Sequence, residues 1–190
     1  MPTILYPGTS IVSNNLLATI PSWGPTFRVT FDLYINSFVE GNQHGFSELL
    51  RFTATDNNFW SLGDAVPVVL TTQTGIHIVT QIGSNNHWVA QTKLTEKTWY
   101  HVELVQHSHN NKKVMHVLRK NICNRYLFQF VFEIKIDGAI IKTVENQNPT
   151  QFSNVTVWNS RSQNNNFPPA DAVLKNIYHG SDTSKQILEA

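Results

Sequence analysis

The sequence has very little cysteine and little charge. Cys123 is the single cysteine in 190 residues, so no disulfide can form within the chain and the fold must depend on a hydrophobic core. Charged residues make up 14% of the chain and the formal net charge is +1, which gives no strong field to attract a nucleic acid or an anionic membrane. Much of the polarity comes instead from Asn, Gln, Ser and Thr. Such side chains suit recognition of neutral polar ligands through hydrogen bonds.

Long apolar runs are also missing. A membrane-spanning helix needs about 20 consecutive apolar residues, and no such run occurs, so we expect no membrane insertion. The first ten residues, MPTILYPGTS, have neither a basic region nor a long apolar segment and do not resemble a signal peptide. Because strand-like sequence begins at the N-terminus without a leader, we expect an extracellular or secreted domain cut from a longer precursor.

Alternation of apolar and polar residues is the main pattern, and convincing capped helices are rare. In residues 128–136, apolar side chains at every second position predict a strand with one buried face. Asp137-Gly138 follows, and both residues tolerate the positive φ of a tight two-residue turn. Residues 139–144 are therefore predicted to return as the second strand of an antiparallel hairpin.

Similar alternation predicts further strands along the chain. They cover residues 3–6 as a first edge strand, then 16–20, 26–35, 48–55, 66–70, 75–82, 87–93, 98–106, 152–159 and 172–178. Turn clusters separate them at a spacing typical of sandwiches and barrels rather than of alternating strands and helices. A chain of 190 residues can form one well-cored domain. We expect residues 1–190 to be a single all-β domain.

Residues 107–125 interrupt this pattern with a basic segment. It belongs to a run from residue 104 to residue 132 that contains no acidic side chain. The apolar residues Val114, Val117, Leu118 and Ile122 fall at helical spacing, so a short amphipathic helix is one interpretation. We favour the other, a basic insertion that protrudes between two strands. Four side chains in this segment could in principle bind zinc, namely His107, His109, His116 and Cys123. Their spacing matches no recurrent zinc site.

Four segments resemble the concanavalin A-like, laminin G-like jelly-roll superfamily. They are WYHVEL at 99–104, FEIKIDG at 132–138, NVTVW at 154–158 and ADAVLKNIY at 170–178. In that superfamily a W-h-H-V strand is followed after a short turn by a strand ending in D-G, and the last strand packs beside it as a closing edge. The resemblance implies an all-β, two-sheet antiparallel jelly-roll sandwich, with about residues 107–125 inserted where relatives have the short turn.

The sequence lacks the acids that enzymes on this fold use. Laminarinase-like glucanases carry E-x-D-x-E on one strand, which sets acid and nucleophile about 5 Å apart, and no such triplet occurs here. Glu133 and Asp137 are four residues apart, but a turn position and the intervening Lys135 make a solvated strand face the better explanation. Other catalytic motifs are absent as well. We therefore expect no enzyme, with a glycoside hydrolase or lyase as the alternative.

Sugar binding needs an aromatic platform surrounded by amides and hydroxyls. The available aromatic residues are Trp60, Trp88, Trp99 and Trp158, with Tyr34 and Tyr100. The predicted ligand-binding residues form two groups, which are Asn85, Asn86, His87 and Trp88, then Asn58 and Trp60. Trp88 could equally pack between the sheets, and for Trp99 we expect packing.

These residues favour a non-catalytic, lectin-like recognition module. It would bind a glycan or an extracellular protein through rim loops or through the concave sheet. A structural or cell-adhesion domain of a larger extracellular protein is a further alternative, because this sandwich hosts lectins, enzymes and adhesion modules alike.

Calcium is the one cofactor that the resemblance brings in. Laminin G-like and pentraxin-like relatives often bind it through loop carboxylates and backbone carbonyls. Asp56, Asp64 and Asp171 are the candidate ligands, since each lies in a predicted loop with such oxygens nearby. They are scattered singly, whereas calcium requires several converging oxygens, so the other interpretation is that they cap turns.

Overall fold

The structure, a computed structural model, describes residues 3–38, 45–57, 60–109, 113–118, 121–126, 129–161 and 167–180, with the backbone alone for 3–9, 109, 113–118, 121–126 and 129. This part of the chain contains strands and no helix. The strands are β1 (Thr3–Ser10), β2 (Asn15–Trp23), β3 (Phe27–Ile35), β4 (Ser47–Thr53), β5 (Val68–Thr71), β6 (Gly75–Ile82), β7 (Asn85–Lys93), β8 (Trp99–His109), β9 (Lys113–Leu118), β10 (Asn121–Tyr126), β11 (Gln129–Ile136), β12 (Ala139–Asn146), β13 (Phe152–Asn159) and β14 (Ala172–Gly180). Among the described residues, no helix could span a membrane.

Two six-stranded sheets form a sandwich. The first sheet has the order β1-β14-β3-β8-β11-β12 and the second has the order β2-β13-β4-β5-β6-β7. The named strands pair antiparallel throughout both sheets. The main hydrophobic core draws on both sheets, which confirms the predicted all-β, two-sheet jelly-roll sandwich.

Strand β3 shows how the sequence builds this core. Its odd-numbered positions, Phe27 to Ile35, are all buried, while the even-numbered positions are exposed or half-buried. Burying each of these large side chains contributes about 1.5–3 kcal/mol. The same alternation turns Asp32 and Tyr34 to the outer face of the first sheet.

The predicted hairpin at Asp137-Gly138 is confirmed. β11 and β12 pair antiparallel, and the two turn residues have φ values of 50° and 79°. Both positive values belong to the turn whose twist matches that of the flanking strands.

Replacing Gly138 with alanine should lower the free energy of unfolding by about 1 kcal/mol, because alanine resists positive φ. No atom lies within 4 Å of the added Cβ, so backbone strain alone is tested. Urea unfolding measures the loss. Gly24→Ala is the control, since Gly24 lacks a positive φ and its new Cβ would be 3.6 Å from the nearest atom. An equal cost at both positions would contradict the explanation.

The last strand corrects one expectation. β14 is not a closing edge beside the D-G strand, because it lies between β1 and β3. β1 pairs with it from Thr3↔His179 to Ser10↔Val173 and so takes the edge itself, as predicted for the first strand. Among the described strands, β1 and β12 are therefore the edges of the first sheet.

The predicted insertion contains strands rather than a helix. β9 and β10 pair with each other from Leu118↔Asn121 to Lys113↔Tyr126, and within the described ranges neither joins a six-stranded sheet. The helical interpretation is wrong because cross-strand hydrogen bonds satisfy this backbone. His107 is 6% exposed and pairs with Val131, so it belongs to the first sheet. The protrusion of the hairpin stays a prediction, and the side chains of His109, His116 and Cys123 lie outside the description.

Candidate functional site

The two predicted ligand-binding groups meet at one contact. Trp60, in the loop after β4, is 65% exposed, and its ring centroid lies 4.0 Å from that of His87 on β7. Asn85 accepts a hydrogen bond from the His87 backbone N–H at 2.9 Å and so shapes the turn that enters β7. Asn58 lies outside the described residues. The contact joins two segments that the sequence keeps 27 positions apart, counting from residue 60 to residue 87.

Trp88 points the other way from His87. Alternation after His87 turns Trp88 toward the sandwich, where it is half-buried, while Asn86 is half-buried at the register shift in the β6–β7 pairing. The Trp88 ring packs edge-on against Phe132 of the first sheet, with centroids 5.8 Å apart and planes at 82°. Trp88 thus follows the packing interpretation, because its large apolar surface fills the space between the sheets.

The predicted calcium ligands occupy separate settings. Asp56 receives hydrogen bonds from Arg161 Nε and Nη2 at 3.0 and 2.8 Å. Asp64 is fully buried and accepts bonds from the Ser61 N–H and the Thr55 hydroxyl. Asp171, directly before β14, accepts hydrogen bonds from Asn36 Nδ2 at 2.9 Å and from the Ser37 hydroxyl at 2.5 Å. Across the described ranges, no group of three or more His, Cys, Asp or Glu could hold a metal ion. Calcium stays a prediction.

A shallow cleft on the outer face of the first sheet combines aromatic and charged groups. Its volume is about 270 Å³, and it is lined by Asp32, Trp99, Tyr100, His101, Asp137 and Lys175. Strand register assembles it, because Asp32 of β3 pairs with His101 of β8 on one side and with Lys175 of β14 on the other. Asp137, directly after β11, closes the end. We call this the Trp99 cleft.

Trp99 is exposed, which corrects the expectation that it packs in the core. It is 44% accessible, because alternation along β8 turns Tyr100 and Val102 inward and leaves Trp99 and His101 outside. The Lys175 ammonium lies 3.8 Å from the Trp99 ring centroid. The Tyr34 ring is 5.2 Å away at an angle of 45°. The alternation of residues 99–105 in the sequence already predicts that Trp99 and Tyr100 face opposite sides of the strand.

Hydrogen bonds hold the acids of the Trp99 cleft in place. Asp32 shares a 2.8 Å bond with His101 Nδ1 and accepts a 2.7 Å bond from Asn176 Nδ2. The Asp137 carboxylate accepts the His101 backbone N–H at 2.8 Å. Asn176 has a φ of 53° at a register shift in β14, a bulge that re-aims its side chain toward Asp32.

These bonds keep Asp32 charged. Partial burial works to raise the pKa of the Asp32 carboxyl, but hydrogen bonds from His101 and Asn176, with the charges of His101 and Lys175, outweigh it and hold the pKa below its usual value. An ionised carboxylate accepts hydrogen bonds and donates none. The cleft therefore offers fixed acceptors beside an indole ring.

On the outer face of the second sheet, the surroundings of His77 predict that the stability of the fold depends on pH. Burial, and then the nearby charge of His87, lower the pKa of His77 to about 4. Its Nδ1 lies 2.7 Å from Gln91 Nε2, and its ring contacts Phe46 at 4.7 Å. The unfolded chain therefore binds a proton more readily than the folded protein between about pH 6.5 and about pH 4.

As the pH falls through that window, we expect unfolding to become easier by at most about 3 kcal/mol. The contribution is fully present above the ordinary histidine pKa and is lost in acid. Urea unfolding across the window measures it, and His77→Phe should reduce the slope. Some slope should persist, since burial also lowers the pKa of His179. An unchanged slope in His77→Phe would exclude this histidine as the cause.

Comparison with known proteins places the fold but supplies no family. No model of a protein family matches the chain, and no curated protein does. Among solved structures, the receptor-binding domain of botulinum neurotoxin D aligns with a TM-score of 0.54 at 11% identity, over 94% of this chain and 41% of that one. A native heptameric SAP-like pentraxin from Limulus polyphemus aligns with a TM-score of 0.52 at 15% identity, over 96% and 78%.

The chain is thus a jelly-roll sandwich of the architecture shared by these two proteins. It spans 31% to 41% of the length of the neurotoxin binding domains that it matches. Any proposal about function therefore depends on the surface of this chain rather than on its fold.

Proposed function

We propose that the protein is a non-catalytic recognition module that binds carbohydrate in the Trp99 cleft. The observation that carries the proposal is a tryptophan exposed by 44% in a shallow polar cleft. An indole face can cover the apolar face of a sugar ring, while the two carboxylates accept bonds from its hydroxyls. This combination matches the needs of a lectin-type site.

The bonding of the two cleft acids argues against a hydrolase. A glycosidase needs one carboxyl group with a raised pKa as general acid. Asp32 has a lowered pKa, and a backbone N–H occupies one oxygen of Asp137. Both groups are therefore suited to holding hydroxyls. The botulinum neurotoxin neighbour is a receptor-binding domain, which agrees with a recognition role in an extracellular setting.

A glycan array, run with calcium and with a chelator, tests the proposal. We expect binding by the natural protein, and Trp99→Ala should weaken it about 30-fold, because about 2 kcal/mol of aromatic contact is lost. Trp60→Ala is the matched variant, since Trp60 is also exposed but lies in the loop after β4 of the second sheet. It should bind normally.

Two outcomes would contradict the proposal, and a third would add a metal to it. If no glycan on the array bound the protein, with or without calcium, adhesion to a protein would be the remaining function. Binding lost in Trp60→Ala and kept in Trp99→Ala would move the ligand to the Trp60–His87 contact. Loss on chelation alone would support the calcium prediction and make a metal part of the site.

A further inference from the structure

Lys175 occupies the surface that a sugar would need. Its ammonium lies 3.8 Å from the centroid of the Trp99 ring, about the distance at which the carbon atoms of a sugar would contact the indole. Tyr34 lies against the same ring at a centroid distance of 5.2 Å. A sugar therefore stacks on this face of Trp99 only after the Lys175 ammonium has moved.

Moving the Lys175 ammonium away from the Trp99 ring should cost little free energy. A cation over an exposed aromatic ring is held weakly, and the four-carbon stem of lysine is flexible. Lys175 follows Leu174, which is fully buried, so the backbone here is anchored while the charged end is not. The contact is thus a cover on the ring.

The charges around the Trp99 cleft disfavour an acidic ligand. Its lining contains two carboxylates, Asp32 and Asp137, against the ammonium of Lys175 and the ring of His101, which already shares a hydrogen bond with Asp32. Glu103 lies at the margin, 3.8 Å from His101 Nε2, and Arg28 offsets its charge at 2.5 Å. A carboxylate on the sugar would meet like charges at short range, whereas hydroxyls would find acceptors.

We propose that Lys175 is a displaceable cover on Trp99 and that the Trp99 cleft selects neutral hexopyranose units over sugars that carry a carboxylate. This inference rests on the proposed function. On binding, the Lys175 ammonium leaves the ring face and the apolar face of the sugar replaces it. Asp32 and Asp137 then accept bonds from the hydroxyls of the sugar, with His101 and Asn176 keeping Asp32 in position.

Titration calorimetry with two matched oligosaccharides tests this, one built of neutral hexoses and one of the corresponding uronic acids. The natural protein should prefer the neutral form. Lys175→Ala should bind the neutral form about two- to five-fold more tightly, because the contact with the ring no longer has to be broken. Lys142→Ala, on β12 of the same sheet, controls for the loss of a positive charge and should leave both affinities unchanged.

Each failure has its own signature. A preference for the uronic form that disappears in Lys175→Ala would make Lys175 an anion-binding residue and overturn the inference while keeping the proposed function. Unchanged neutral affinity in Lys175→Ala would overturn the cover. Binding of neither oligosaccharide, together with a silent glycan array, would overturn the proposed function itself.

Discussion

Replacing Arg51 with methionine should lower the free energy of unfolding by about 3–5 kcal/mol, because it leaves a buried carboxylate without its partner. Arg51 and Glu48 are 2% and 0% exposed on β4. Two hydrogen bonds join them, from Arg51 Nε at 3.1 Å and from Nη2 at 2.6 Å. Urea unfolding followed by fluorescence measures the loss.

The same carboxylate explains why a charge is buried here. Glu48 also accepts the backbone N–H of Arg161 at 2.6 Å, and its own backbone N–H and C=O bond to Pro168 and Ala170. Glu48 therefore bonds to the chain on both sides of residues 162–166 and holds it against the outer face of the second sheet. Removing the Arg51 side chain should weaken these bonds as well as leave the Glu48 charge unpaired.

Two controls separate the buried pair from a general charge effect. Lys135→Met removes a more accessible partner, 3.1 Å from Glu133, and should cost less than about 1 kcal/mol. The double variant Glu48→Leu/Arg51→Met should recover part of the stability, because no buried charge stays unpaired. A cost in Arg51→Met as small as that in Lys135→Met would show that Glu48 finds another partner.

Local alternation and turn chemistry made the strands and the sandwich predictable. The hairpin at Asp137-Gly138 needed only neighbouring residues, and it has the expected turn. The burial of all seven residues of β4 could not be foreseen in the same way. Part of the cover over its outer face comes from residues 161 and 168–170, more than a hundred positions away. Likewise, β14 was expected at an edge but lies inside the sheet, because β1, from the opposite end of the chain, pairs with it.

In the candidate site, too, local alternation predicts one part and the pairing of distant strands determines the other. The outward orientation of Trp99 was available from alternation along β8, and its expected role in packing was wrong because Tyr100 takes the inward place. The acids and the lysine around it are brought together by register, Asp32 with His101 and with Lys175. A single sequence does not reveal which strands will be neighbours, so the Trp99 cleft becomes visible only in the structure.

Replacing Gly75 with alanine should destabilise the second sheet strongly. The new Cβ would lie 2.0 Å from the Thr92 carbonyl oxygen and 2.8 Å from the Lys93 Cα. Both are backbone atoms of β7, so no side chain can rotate away and the β6–β7 pairing must open. We expect a loss of about 3 kcal/mol in the free energy of unfolding. Gly83→Ala, in the turn of the same hairpin, has open space and a φ of 61°, and should cost about 1 kcal/mol.

The same variant tests which of two surfaces binds the ligand. The clash at Thr92 and Lys93 disturbs β7, the strand that also carries His87 and its contact with Trp60, whereas the Trp99 cleft is built on β14, β3, β8 and the end of β11 in the other sheet. Folded Gly75→Ala should therefore keep the glycan affinity of the natural protein, measured by titration under conditions where near-ultraviolet circular dichroism shows native packing. Lost affinity with native packing would contradict this expectation. Because residues 94–98 connect β7 directly to Trp99 at the start of β8, Trp60→Ala would then decide between a ligand at the Trp60 contact and a disturbance transmitted along this connection.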